Sequence, residues 1–160
     1  MSNRTSKEKY SSGKATGGQK PNARKMLTAP KVEPSSYYDK MPTWLFQRFD
    51  FKHKKWGLDY NAKILTAVFT YLSHLEKMAW SEILTTTSGR SRNTRHHNIS
   101  LTDLSRDAQK RAAEINADEF DRLCSIAIDS TIRVWGHISD GLFYIIWIDP
   151  DHEIYQVEKY

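Results

Sequence analysis

Apolar side chains recur at helical spacing in two stretches of the chain. Leu65, Val68, Phe69, Leu72 and Leu75 share one face behind Asp59 and Asn61, which can cap, and this predicts a helix over about 61–77. Met78, Trp80, Ile83 and Leu84 continue it as a short second piece. Leu104, Ala108, Ala112 and Ile115 mark another amphipathic helix, after which Asn116 or Asp118 opens a short turn that buries Phe120 and Leu123. Elsewhere the period is nearer two. Residues 43–56 alternate aromatic and polar, with Trp44 and Phe46 straddling Leu45 and Phe49 and Phe51 straddling Asp50, the pattern of a strand or extended edge segment. From 85 to 98 periodicity vanishes, and Arg90, Arg92, Arg95, His96 and His97 crowd into an exposed basic loop.

Residues 124–157 read as strands, with Asp140-Gly141 as a two-residue hairpin turn between alternating runs. Counting outward pairs Ile138 with Phe143, His137 with Tyr144, Gly136 with Ile145, Trp135 with Ile146, Val134 with Trp147 and Arg133 with Ile148. Opposed residues share a side of the sheet, so Ile132, Val134, Ile138, Phe143, Ile145 and Trp147 form an apolar side against the helices. The other side carries Arg133, Trp135, His137 and Tyr144, exposed or half-exposed, with Ile146 and Ile148. A slip of one residue inverts this assignment. Gly136 leaves room for Trp147 or marks a bulge. Asp149-Pro150-Asp151-His152 is a turn by its proline, and 153–157 adds a closing strand. The expected architecture is one α+β domain over 41–160, with two or three helices packed on one face of a small antiparallel C-terminal sheet.

Charge changes the picture at one end only. Residues 1–40 hold nine Lys and Arg against three acidic residues, whereas the rest of the chain holds 15 basic and 16 acidic side chains. That basic stretch is rich in Ser, Gly, Lys, Asn and Pro and cannot bury enough surface to offset its ordering entropy. It is therefore expected to be a disordered tail, with Tyr37 and Tyr38 touching the body. Such a tail either holds nucleic acid or ribosome through counterion release or only keeps the chain soluble. The 160 residues, 39% of them hydrophobic, suit one packed domain. No apolar run is long enough for a membrane span, and the polar start has no signal-peptide core. The single Cys124 excludes an intramolecular disulfide framework or a multi-cysteine zinc module and suits a small buried hydrophobe. A soluble, cytoplasmic protein without cofactor is the expectation.

The candidate chemistry gathers on the Arg133 side of the hairpin. Cutting RNA without a metal needs a base for the 2′-hydroxyl, an acid for the leaving oxygen and a cation on the phosphate. Histidine serves either proton role near neutral pH, and arginine gives a fixed fork for phosphate oxygens. His137, Trp135 and Tyr144 offer binding and base stacking, and Arg90, Arg92 and Arg95 offer backbone charge. Each has a plain structural alternative. Arg133 can pair with Asp129 or Asp149, His152 can cap the Asp-Pro turn, and Trp135 can pack under a helix or the tail. The adjacent His96 and His97 point to opposite sides of a strand and make a poor metal pair. Lys52, His53, Lys54 and Lys55 beside Trp56 suit nucleic acid, or a charged edge that blocks aggregation.

Two helices followed by a sheet with an arginine strand and a terminal histidine and tyrosine resemble the RelE/ParE-type toxin superfamily. The stretch that carries this runs from Leu123 through Arg133-Val-Trp-Gly-His137 to Phe143-Tyr-Ile-Ile-Trp147 and His152-Glu-Ile-Tyr155. Over 41–157 the closing Arg-x-Trp-Gly-x-Ile…Trp-x-Asp-Pro-x-His-Glu-x-Tyr pattern is also similar to a group of small bacterial and mobile-element proteins. The toxin resemblance implies a small microbial endoribonuclease, often ribosome-dependent, that is neutralised by an antitoxin protein. It implies phosphate stabilisation by Arg133 and proton handling by His152 and Tyr155, with Glu82 or His97 as base. The other function class is a non-catalytic interaction protein, whose aromatic and arginine face binds a protein while the tail holds nucleic acid. Exposed Trp, Tyr and Arg serve both.

Overall fold

The computed structural model describes residues 37–87 and 94–156. The tail before Tyr37, Arg90 and Arg92 of the basic loop, and Val157 lie outside the described residues. In chain order the elements are β1 (Thr43–Leu45), α1 (Ala62–Leu75), α2 (Trp80–Thr85), β2 (His97–Ser100), α3 (Arg106–Glu114), β3 (Arg122–Ala127), β4 (Arg133–Ser139) and β5 (Leu142–Asp149). Short 3-10 turns span Tyr37–Asp39, Leu101–Asp103 and Ala117–Glu119. The fold is α+β, as the hydrophobic pattern predicts. None of its described helices is long and apolar enough to cross a membrane.

The two longer helices form where the spacing predicts, and each is capped by its own sequence. Asn61 accepts the Ile64 N–H at 3.1 Å, and α1 buries Val68, Leu72 and Leu75. Phe69, placed on the same face by period, is 53% exposed and lies beside Phe46 instead. The Ser105 hydroxyl accepts the Ala108 N–H at 3.3 Å, and α3 buries the small Ala108 and Ala112. The short α2 is anchored by Trp80, whose indole N–H donates to the Gly141 carbonyl at 2.9 Å and whose backbone N–H donates to Lys40. Tyr37 meets the Trp80 ring edge-on at 6.3 Å, so the folded part begins inside the stretch assigned to the tail.

The sheet has five strands in the order β1-β5-β4-β3-β2. It is mixed rather than antiparallel, because β1 pairs parallel with β5, Thr43 to Leu142 and Leu45 to Tyr144. Nor do the helices share one face. Helices α1 and α2 cover Cys124, Ile126, Val134, Phe143, Ile145 and Ile148, while α3 covers Leu123, Trp135, Ile146 and Trp147 on the opposite side. Strands buried on both faces carry apolar residues at nearly every position, so alternation alone does not reveal a second helical layer. The closing strand expected over 153–157 is absent among the described residues; Ile154 is buried there and its carbonyl accepts from Ser105 at 2.8 Å.

At the hairpin tip Asp140 and Gly141 both take positive φ, 50° and 86°, as a tight two-residue turn demands. From there Ile138–Phe143, His137–Tyr144 and Gly136–Ile145 pair as counted. The register then shifts between Trp135 and Gly136, so Trp135 faces Trp147, Val134 faces Ile148 and Arg133 faces Asp149. Ile146 is the extra residue of a β-bulge, and Trp147 moves to the α3 side. The segment after β1 explains the shift. Instead of running on as a strand, it donates Asp50 N–H to the Ile146 carbonyl at 3.0 Å and accepts the Ile148 N–H on Trp56 O at 3.1 Å. The missing side chain at Gly136 makes room for the Phe143 ring and the Tyr144 carbonyl, not for Trp147.

Candidate functional site

Arg133, Trp135, His137 and Tyr144 do share one side of the sheet, but they do not form one site. Trp135 is 0% exposed, sealed among Trp147, Ala108 and Ala112, and therefore cannot stack an RNA base. It divides the side into two ends. Arg133 and His137 stand four residues apart on β4, roughly 13 Å along a strand.

At the first end, Arg133 starts β4 from a tight turn. Its Nη1 donates to the carbonyls of Asp129 at 2.8 Å and Ile132 at 3.0 Å, and Nη2 to that of Ser130 at 3.4 Å. The Asp129 carboxylate instead accepts the N–H groups of Thr131 and Ile132, at 2.8 and 2.7 Å. Asp149, opposite Arg133, is fully buried and accepts the N–H groups of Glu153 at 3.0 Å and Ile154 at 2.8 Å. It is Asp149, rather than His152, that caps the Asp-Pro turn. Burial pushes its carboxyl up, against the pull of those backbone bonds. His152 sits in that turn at φ 57°, a left-handed conformation uncommon for histidine.

The Arg133 charge bears on two imidazoles. His152 is half-buried and its pKa is lowered by burial first and by Arg133 next; His97, on the same side of the sheet, is lowered by the same two causes. Arg133 itself is lowered mainly by burial, with Arg95 adding to the effect while Asp129 and Asp149 oppose it. The Arg133 charge thus reaches two other sequence candidates, His97 and His152. Arg95 joins them through its charge, yet its guanidinium is engaged, lying 5.5 Å over the Tyr71 ring and donating to the Ile128 carbonyl at 3.3 Å. Glu82 is not among them: it closes the first turn of α2 by accepting the Ala79 N–H at 2.8 Å. Tyr155 packs against the core beneath α3.

At the other end, His137 stacks on Phe120 at 4.1 Å, and Arg48 lies over the same ring at 5.6 Å while pairing with Glu119 at 2.7 Å. The His137 pKa is lowered by burial. Tyr144 is half-buried beside it. This end is a packed aromatic and ionic cluster.

Sequence reasoning missed a buried ion pair. Asp50 is only 6% exposed and receives Arg111 bidentately, Nε to Oδ2 and Nη2 to Oδ1, both at 2.7 Å. The Trp147 indole N–H donates to Oδ2 at 3.2 Å. Burial raises the Asp50 carboxyl, but the Arg111 and Trp147 hydrogen bonds and the Arg111 charge outweigh it and hold the pKa low. The alternation of Phe49 and Phe51 around Asp50 gave no sign of its burial, nor of a partner 61 residues away. His96, expected in an exposed loop, is 3% exposed; its Nδ1 accepts the Ala127 N–H at 3.1 Å, and burial drops its pKa to about 4. Cys124 is buried as expected, and burial pushes its thiol up to about 12. Among the described residues no group of three or more His, Cys, Asp or Glu side chains is placed to hold a metal ion.

Comparison with protein-family models, curated proteins and solved structures finds no match to this chain.

Proposed function

We propose that the protein is an endoribonuclease that cuts RNA by side-chain acid–base chemistry at the Arg133 end of the sheet. The observation that carries this reading is that Arg133 and His97 stand on one side of the sheet and that the Arg133 charge acts on both His97 and His152. Backbone carbonyls take both Nη1 hydrogens and one on Nη2, so the Nε edge of Arg133 stays uncommitted among the described residues and faces a phosphate as a fork. With no phosphate bound, burial and the Arg133 charge keep both imidazoles neutral, the form that accepts a proton from a 2′-hydroxyl. A bound phosphate offsets that charge and raises both pKa values, so one ring can carry the proton that the leaving oxygen needs. The RelE/ParE-type resemblance supports the same substrate, with the ribosome as its setting, the cytoplasm as its compartment and an antitoxin as its regulator.

The experiment maps RNA 5′ ends in bacterial cells shortly after induction, comparing wild type with Arg133→Ala. New ends in the wild type that vanish in the folded variant are expected. Unchanged ends in both overturn the reading.

A second reading, a non-catalytic protein that binds a partner, is favoured by a different surface from the one the sequence suggests. Met41, Phe46 and Phe69 are exposed around a groove beside β1 lined by Pro42, Trp44 and Leu72. Partner capture that depends on Phe46 and Phe69, without any RNA cleavage, selects it.

A further inference from the structure

Outside its first forty residues the chain holds one more acidic than basic side chain, yet cations concentrate around one cleft. The turn after Asp50 supplies Lys52, Lys54 and Lys55, and α3 supplies Lys110 and Arg111; they line a space of about 420 Å³. Arg111 is committed to Asp50 and Glu114, and Lys55 to Glu153 at 2.9 Å. Lys52, Lys54 and Lys110 are exposed and make no ion pair among the described residues, and of the carboxylates in the lining only Asp107 is uncommitted.

The lysines stand on an ordered support. The His53 ring stacks on Trp56 at 4.2 Å, and its Nδ1 accepts the N–H groups of Lys55 at 3.2 Å and Trp56 at 3.0 Å. This fixes the turn without using any lysine charge. Trp56 lines the cleft, and its buried indole N–H finds no acceptor. Lysines are mobile point charges that follow a backbone of phosphates without reading bases, and a concave space of this size receives a single strand rather than the side of a duplex.

We propose that this cleft binds the phosphodiester backbone of single-stranded nucleic acid. The Lys55–Glu153 pair ties its rim to the turn that carries His152, so a strand seated in the cleft continues toward the Arg133 end. That continuation alone rests on the ribonuclease reading; the binding does not.

The test uses the full chain and fluorescence anisotropy of fluorescein-labelled single-stranded RNA, with single-stranded DNA of the same sequence as a second probe. The variant carries Lys52→Ala, Lys54→Ala and Lys110→Ala together, all exposed positions, with circular dichroism as the folding control. Losing three phosphate contacts lowers the slope of log K against log salt by about 2 and weakens low-salt binding at least tenfold. Loss with both probes supports a backbone site for either nucleic acid, and loss with RNA alone narrows the ligand to RNA. A folded variant that binds as wild type, with unchanged slope, overturns the proposal and leaves the binding to the tail. An acidic polyglutamate peptide that binds as tightly as RNA, and loses as much in the variant, also overturns it. The triple-lysine variant is read by binding and Arg133→Ala by new RNA ends in cells, so the failure of either reading leaves the other standing.

Discussion

Against α1 and α2 the sheet lays down Val134, Phe143, Ile145 and Ile148, and Trp80 there sends its N–H to a backbone carbonyl. Against α3 it lays down Trp135 and Trp147 with Trp56 nearby, and a carboxylate comes in with them. Of those three indoles only Trp147 has an acceptor, Asp50, and Asp50 in turn is held by Arg111. The difference teaches that a face filled with indoles carries polar atoms into the core whether or not they are needed for function. Such a face must then supply acceptors and counter-charges, as it does for Trp147, or leave N–H groups buried without one, as it does for Trp56 and Trp135. The α1 side has its own buried polar groups, the Trp44 indole N–H, which also lacks an acceptor, and His96, which stays neutral.

The comparison breaks most visibly at Asp50. Asp50→Ala leaves Arg111 with only the exposed Glu114 and the Trp147 N–H without an acceptor, and about 3 kcal/mol of stability should be lost in urea unfolding. Replacing the pair together, Asp50→Leu with Arg111→Met, should recover most of that loss. If the double variant is as unstable as the single one, the pair is more than mutual compensation.

Acid separates the buried histidine from the buried carboxylate. His96 has a folded pKa of about 4 against 6.5 unfolded, so its stabilisation is complete above pH 6.5 and is lost as pH falls toward 4, a change of about 3 kcal/mol. His53, His97, His137 and His152 are lowered too and act in the same direction from pH 6.5 downward. Asp50 has a folded pKa below 3.8, so its contribution is present above that value and disappears only as pH falls through the lower one. Stability measured against pH should therefore fall in two stages. His96→Gln should flatten the upper stage, and Asp50→Asn should remove its share of the lower one.

How much of this was legible depended on how local the cause was. Asn61 as a cap, the α1 period and the Asp140-Gly141 turn are set by residues within a few positions, and all three were readable. The first three rungs of the hairpin followed from the turn. The fourth did not, because the bulge answers to Asp50 and Trp56, whose backbone bonds to β5 come from about ninety residues away. That one residue moved Trp147 across the sheet. At the candidate site, the residue types were legible in Arg133, His97 and His152; the burial of Trp135, which splits the face, required knowing where α3 packs.

Two smaller effects sharpen the contrast. Gly136→Ala forces a Cβ against the Tyr144 carbonyl and the Phe143 ring, and should cost about 2 kcal/mol on the α1 side while leaving the Asp50 pair intact. The loss should be read from thermal unfolding. Arg48→Ala removes an exposed pair with Glu119 and a contact over Phe120, and should cost under about 1 kcal/mol. A loss matching that of Asp50→Ala would end the distinction between buried and exposed pairs.

The parallel pairing of β1 with β5 has a consequence for how the protein is made. Lys40 reaches Asp140 a hundred residues later, and Thr43 waits for Leu142. A ribosome delivers β1, α1 and α2 long before the strands that cover them, so Val68, Leu72 and Trp80 emerge with no sheet to bury them. Long-range closure of this kind is slow and leaves nascent chains sticky. Completion of the hairpin is the event that turns the early half of the chain from a chaperone client into a folded layer, and it should occur only after β5 has left the ribosome.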